Sequence, residues 1–281
     1  MSKRITIVLI IAWWLVERAN AQDFIGPDTV FVQSGELALK GLLWRPYGHG
    51  PFPTVIFCAG SYGGADTIHN PEHDASLLGP VFSRNGYIFL VPFRRGVGLS
   101  KDQGENSAEL MNKAFKEKGQ EGRNKVQLQQ LETNQLQDMI SGLRFLKKRQ
   151  DVDTNRVVII GHSFGGSLAL LLAEHESGLR AVIVFSAAGY SWDLSPQLRI
   201  RLINAAKNIN APVMIIHARN DYSTNPGYAL DSVMNKLHKP HELKIYPGYG
   251  KSANDGHNLI FLSIETWKQD VFKFLEKNLR R

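Results

Sequence analysis

Cysteine is almost missing from this sequence: Cys58 is the only one in 281 residues. A single thiol excludes an internal disulfide, so a large apolar core has to hold the fold together, and the chain is long enough to build one. Repeats, low-complexity tracts and linkers are missing as well, so nothing divides the chain into separate modules. The net charge of +7 comes without a recognition motif or aromatic–basic interleaving. Basic residues dispersed in this way describe a solvated surface and argue against nucleic-acid binding.

The apolar run ITIVLIIAWWLV, which follows the basic MSKR, falls short of the ~20 residues needed to cross a bilayer. After it comes ERANAQD, in which Ala19 and Ala21 form the small-residue pattern of a signal-peptidase site. Residues 1–21 therefore read as a signal peptide. The mature chain, expected to start near Gln22, reads as a periplasmic or secreted protein with no stable membrane insertion. No cysteine follows the run to carry a lipid anchor.

Residues 22–281 read as one α/β domain. DTVFVQS and LALKGLLWRP predict two antiparallel strands, separated by the turn YGHGPFP from TVIFCAG, an apolar strand of the buried parallel type. YIFLVPF, RVVIIGH, AVIVFSA, APVMIIHA and HELKIYP then alternate with helical segments, and IETWKQDVFKFLEKNL closes the chain as a helix. About eight strands in a mostly parallel sheet flanked by helices are expected. Two segments interrupt the alternation on the sheet's carboxyl edge. The charged segment 101–125, with a helical core over 108–118, reads equally as a cap over a pocket or as a solvated loop. Residues 190–208 form only a short lid segment.

Chemistry concentrates in VVIIGHSFGG. A buried strand runs into an Ala/Leu-rich helix through a sharp corner, and Ser163 stands on it between Gly161 and Gly165. Strand and helix crowd each other there, so the flanking positions must lack side-chain bulk. A serine hydroxyl is a weak nucleophile without a base, usually a histidine oriented by a carboxylate. Asp221 follows the strand APVMIIHA in RND, at its carboxyl end, and His257 lies in the loop before the last helix, which gives the order serine, acid, histidine. His162 lies within the elbow, His217 inside a strand, and His238 and His241 before one. Asp255 is the rival acid, but an aspartate before glycine commonly serves the turn itself. The backbone N–H of Phe164 is expected to stabilise an oxyanion, with a second donor at Ser61 or, next to it, Tyr62.

AGSYGG, PFRRGVGLS, DVDTNRVVIIGHSFGG, HARND and DGHN together resemble a serine α/β-hydrolase of the dienelactone hydrolase and prolyl oligopeptidase-like branch. The resemblance covers nearly all of the mature chain. It implies the eight-stranded α/β-hydrolase fold and a two-step acyl-enzyme mechanism with no metal or other cofactor. True dienelactone hydrolases carry cysteine at the elbow where Ser163 stands here, and no propeller domain of the oligopeptidase kind fits in this length. The arginine–glycine segment is mostly structural in the family, although Arg94 or Arg95 at a strand end is also placed to hold a substrate carboxylate.

HNPEH, residues 69–73, matches a zinc pattern by letter, but Pro71 suits the first turn of a helix better than the middle of a ligand face. Cys58 reads as a core residue. The sequence thus points to a carboxylic-ester hydrolase acting on a small molecule. A peptidase for short peptides is the alternative, and a non-catalytic binding protein on the same fold is a second one. Oligomeric state is left open.

Overall fold

The computed structural model describes residues 24–62 and 70–280. The expected signal peptide and residues 63–69, which include His69, lie outside them. Eight strands form one sheet in the order β1-β2-β4-β3-β5-β6-β7-β8. They are β1 (Phe24–Ser34), β2 (Leu37–Pro46), β3 (Phe52–Cys58), β4 (Ile88–Pro92), β5 (Val152–His162), β6 (Ala181–Phe185), β7 (Val213–Ala218) and β8 (His241–Tyr246). β2 pairs antiparallel with both β1 and β4, and every later pairing is parallel. All eight strand expectations are met, including the antiparallel opening pair.

The central strands are covered on both faces, which is why they read as unbroken apolar runs. Alternate residues separate two cores: Ile56, Cys58, Val157 and Ile159 face one, and Val55, Phe57, Val158 and Ile160 face the other. On the first face lie α2 (Ser107–Glu132), α3 (Asn134–Lys147), α4 (Phe164–His175), α5 (Pro196–Asn208) and α6 (Asn225–Lys236). α4 is buried from Phe164 through Ala173, so its uniformly apolar sequence needs no solvent face. Each leucine it buries contributes roughly 1.5–3 kcal/mol. The second face is covered by α1 (Pro71–Arg84) and α9 (Ile264–Leu279), with α7 (Ala253–His257) and α8 (Leu259–Leu262) preceding α9. Pro71 opens α1 and Asn70 caps it, accepting from the backbone N–H groups of Glu72 and His73, as the helix-start reading of HNPEH requires. No described helix is long and apolar enough to cross a membrane.

Segment 101–125 differs from its expected form. Its helix continues to Glu132 and bends where Lys118 and Gly119 leave helical geometry, Gly119 at φ +62°. The charged first half hides this continuation, because a polar sequence carries little apolar periodicity. Gly122 is required at the bend, since a Cβ there would lie 2.5 Å from that of Lys118 and 2.9 Å from the Ala114 carbonyl oxygen.

Cys58 ends β3 fully buried, and burial pushes its thiol up to about 12, against a smaller opposing effect from the Arg94 guanidinium. At pH 8 the folded protein will therefore resist iodoacetamide, because the thiolate is the reactive species. Mass spectrometry should find one alkylated cysteine in denaturant and none in the native protein; modification of both at equal rates would contradict the burial.

Candidate active site

The corner between β5 and α4 holds Ser163 at φ 55°, ψ −118°, a region that residues with side chains rarely adopt. Its backbone N–H donates to the Phe185 carbonyl at 2.9 Å, tying the corner to β6. The neighbouring glycines are sterically required. A Cβ on Gly161 would stand 2.2 Å from the Gly165 carbonyl oxygen, and one on Gly165 would stand 1.9 Å from that of Cys58.

Ser163, His257 and Asp221 come together as the sequence order anticipated. The Ser163 hydroxyl reaches His257 Nε2 at 2.8 Å, and His257 Nδ1–H donates to Asp221 Oδ1 at 2.6 Å. Burial alone would raise the Asp221 carboxyl. Hydrogen bonds from His217 and His257 outweigh it and hold the group well below the usual carboxylate range. The rival, Asp255, is committed elsewhere: it forms a capping box with Ser252 and accepts from the Lys251 backbone at 2.8 Å. His162 also has a supporting place, since its Nε2–H donates to the His257 carbonyl at 2.9 Å. Ser186 donates to the same oxygen at 3.0 Å.

Two further groups contact the acid or the loop that bears His257. His217, to all appearance an ordinary strand residue, donates from Nδ1 to Asp221 Oδ2 at 2.8 Å, so the acid lies between two imidazoles. Asn220 clamps the β7 loop to the loop bearing His257. Its amide donates to the carbonyls of Tyr249 and Ser252 at 2.7 and 2.8 Å, and its oxygen accepts from the Tyr249 N–H at 2.9 Å. The adjacency of Asn220 to the acid in HARND is a readable signal; the partner of His217 is not, because a central strand is buried on both faces.

The arginines of PFRRGVGLS are turned into the protein, as the structural reading of the segment anticipates, and the alternative in which one of them holds a substrate carboxylate is not what the geometry shows. Arg94 is buried and donates to the carbonyls of Ala59 and Gly60 at 2.7 and 2.8 Å and to Gln135 at 2.7 Å. It braces the loop that leads to Ser61. Arg95 makes a bidentate pair with Asp138, at 3.0 and 2.7 Å. The donor fork suited to a carboxylate is thus already occupied in both.

A cleft of about 170 Å³ opens beside Ser163, and Phe164, Ser61, Tyr62 and His257 line it. The first N–H groups of α4 have no partner within the helix, which makes the Phe164 end of the cleft suited to developing negative charge. Tyr62 is fixed by donating its hydroxyl to Asp74 at 2.9 Å; burial, then the Asp74 carboxylate, keeps that phenol far from ionising. Met111, Arg123 and Gln127 of α2 also line the cleft, so of the two readings of segment 101–125 the cap is the one observed. Asn106 anchors it by donating to the Tyr62 carbonyl at 2.9 Å. Tyr190 and Tyr222 complete the wall, with ring centroids 5.3 Å apart, and Tyr222 lies 5.1 Å from the His257 ring.

Known proteins agree with this architecture. A Bacillus subtilis protein that carries the name uncharacterized peptidase YtmA is 25% identical over 246 residues, spanning 78% of this chain and 83% of its own. An esterase of Pyrococcus furiosus superposes with a TM-score of 0.63 at 17% identity, covering 93% of this chain and 94% of that one. An acylaminoacyl peptidase of Pyrococcus horikoshii gives 0.64 at 17% identity; 95% of this chain matches 44% of that one. These structural likenesses establish the fold. The model of the dienelactone hydrolase family matches residues 39–258, most of the chain and all three residues of the relay. The chain belongs to the dienelactone hydrolase family.

Proposed function

We propose that this hydrolase cleaves small carboxylic esters through an acyl-enzyme formed on Ser163. The observation that carries the reading is the unbroken relay from the Ser163 hydroxyl through His257 to the ionised Asp221. In it, Ser163 attacks the ester carbonyl as its proton passes to His257 Nε2. Asp221 fixes the imidazole tautomer and stabilises the imidazolium. The tetrahedral oxyanion is held by the backbone N–H of Phe164, with Ser61 or Tyr62 as second donor. His257 then protonates the departing alcohol, and water, activated by the same imidazole, releases the acid and restores the Ser163 hydroxyl. The N-terminal signal sequence directs this activity to the periplasm or medium.

Arg123 supports an acidic substrate. Its guanidinium lies in the cleft over the Tyr190 ring at 5.3 Å, and its side-chain acceptor is Gln127 at a long 3.4 Å. No carboxylate of the described residues pairs with it, whereas Arg95, Arg149, Arg156 and Arg201 each have one. A cleft of about 170 Å³ suits a short acyl group. A panel of nitrophenyl esters, neutral and carboxylate-bearing, against aminoacyl anilides tests the assignment. Short esters should turn over, the carboxylate-bearing one with the higher kcat/KM, and Arg123→Ala should remove that preference, worth about tenfold or more for a charge-assisted contact. Fast anilide cleavage with negligible ester turnover would replace the assignment with a peptidase, the activity named for the Bacillus subtilis relative.

A further inference from the structure

His217 is the penultimate residue of β7, four positions before the acid, and its side chain is fully buried. Its ring has one polar contact among the described residues, the Nδ1–H bond to Asp221 Oδ2 at 2.8 Å; Nε2 is buried with no partner. An Nε2–H would be a buried orphan donor, so the ring is held as the Nδ1–H tautomer. Gly227 of α6 leaves the space it occupies, since a Cβ there would stand 3.0 Å from the ring's Cδ2.

The two oxygens of Asp221 receive their donors from different sides. Oδ1 accepts from His257 Nδ1–H at 2.6 Å and from the Tyr222 backbone N–H at 2.7 Å, and Oδ2 accepts from His217. Gly189 packs against the carboxylate, where a Cβ would come within 2.8 Å of Oδ1. Without His217, Oδ2 would be a buried anionic acceptor lacking a donor, and turning the carboxylate to satisfy it would take Oδ1 away from His257. We infer that His217 is a positioning residue for the reaction: through Oδ2 it fixes the plane of the Asp221 carboxylate and hence the orientation of His257 toward Ser163. The inference rests on the proposed roles of Ser163, His257 and Asp221.

The test compares two substitutions that both remove the ring. In His217→Asn the amide N–H falls near the position of Nδ1, whereas His217→Leu has no donor. His217→Leu should lower kcat for a short nitrophenyl ester about 10- to 100-fold and leave KM within twofold, as expected for loss of a charge-assisted hydrogen bond within the relay. His217→Asn should stay within about threefold of wild type, with thermal midpoints showing both variants folded. A purely structural role would place the two variants together, and equal activities would overturn the inference. If the leucine variant fails to fold, His217→Gln moves the amide one bond further along and should lose activity as the leucine variant does; a fully active glutamine variant would refute the role. Labelling by a fluorophosphonate separates the two levels of failure. A folded wild type that does not label refutes the nucleophile itself, whereas a wild type and a His217→Leu variant that label at one rate refute only His217.

Discussion

Ser163→Ala will lower kcat for ester hydrolysis by about 10⁶-fold, the size of loss found when the nucleophile of a serine–histidine–aspartate relay is removed. The effect is large because the other groups act through it: His257 Nε2 has the Ser163 hydroxyl 2.8 Å away to deprotonate, and Asp221 in turn serves His257. Losses along such a relay do not add, so Ser163→Ala combined with His257→Ala should be scarcely worse than either alone. What activity is left should come from the backbone donors beside Phe164 and from substrate binding. Folding is a separate matter. Both serine and alanine are strained at φ 55°, so Ser163→Ala should keep the wild-type thermal midpoint, and Ser163→Gly, equally inactive, should be more stable by roughly 1 kcal/mol or more. A fluorophosphonate should modify wild type at one residue and spare both variants. Turnover retained by Ser163→Ala would place the nucleophile on another residue, whereas a folded wild type that neither labels nor hydrolyses would favour the non-catalytic binding protein.

Sequence and structure agree most closely where one physical constraint dominates. The strands are legible because a doubly covered parallel sheet demands unbroken apolar runs, as in VVII of β5 and VMII of β7. The corner is legible because a tight strand-to-helix turn excludes side-chain bulk on both sides of Ser163, and Gly161 and Gly165 stand at those two positions. Side-chain partners at long sequence separation are not legible. That Arg94 points inward depends on the carbonyls of Ala59 and Gly60, 35 and 34 residues away, and nothing local to PFRRG indicates it. His217 is hidden for a related reason: strand alternation gives the face a residue occupies, and in β7 both faces are buried. The continuation of α2 past Lys118 is hidden because two of its three buried residues, Gln127 and Gln130, are polar and only Leu131 is apolar, so the inner face carries little apolar periodicity; Gln127 bonds Ser191 at 3.0 Å. Those same residues bring Arg123 to the cleft, so the least legible helix supplies the group proposed to favour an acidic substrate.

Gly165→Ala should prevent folding or cost more than about 4 kcal/mol, placing it among the most damaging single substitutions in the chain. The new Cβ would lie 1.9 Å from the Cys58 carbonyl oxygen and 2.2 Å from that of Ala59. Both are backbone atoms, so no flexible side chain can yield. Gly165 belongs to the first turn of α4, Cys58 to the end of β3, and relief requires the two elements to separate. Separation opens a core in which every residue of α4 from Phe164 to Ala173 is buried, and such a core does not tolerate gaps. Gly178→Ala is the matched control: its φ of +81° makes alanine unfavourable, but nothing lies within 4 Å of the added Cβ, so about 1 kcal/mol is expected. Denaturant titration of the two variants gives the comparison, and a Gly165→Ala protein as stable as the control would disprove the close contact. The functional consequence follows the same atoms. The Ala59 carbonyl that the new methyl would displace also accepts from Arg94 at 2.7 Å, and that bond braces the loop leading to Ser61. Any Gly165→Ala protein that does fold should therefore lose esterase activity through the oxyanion donors, with Ser163, His257 and Asp221 all still present.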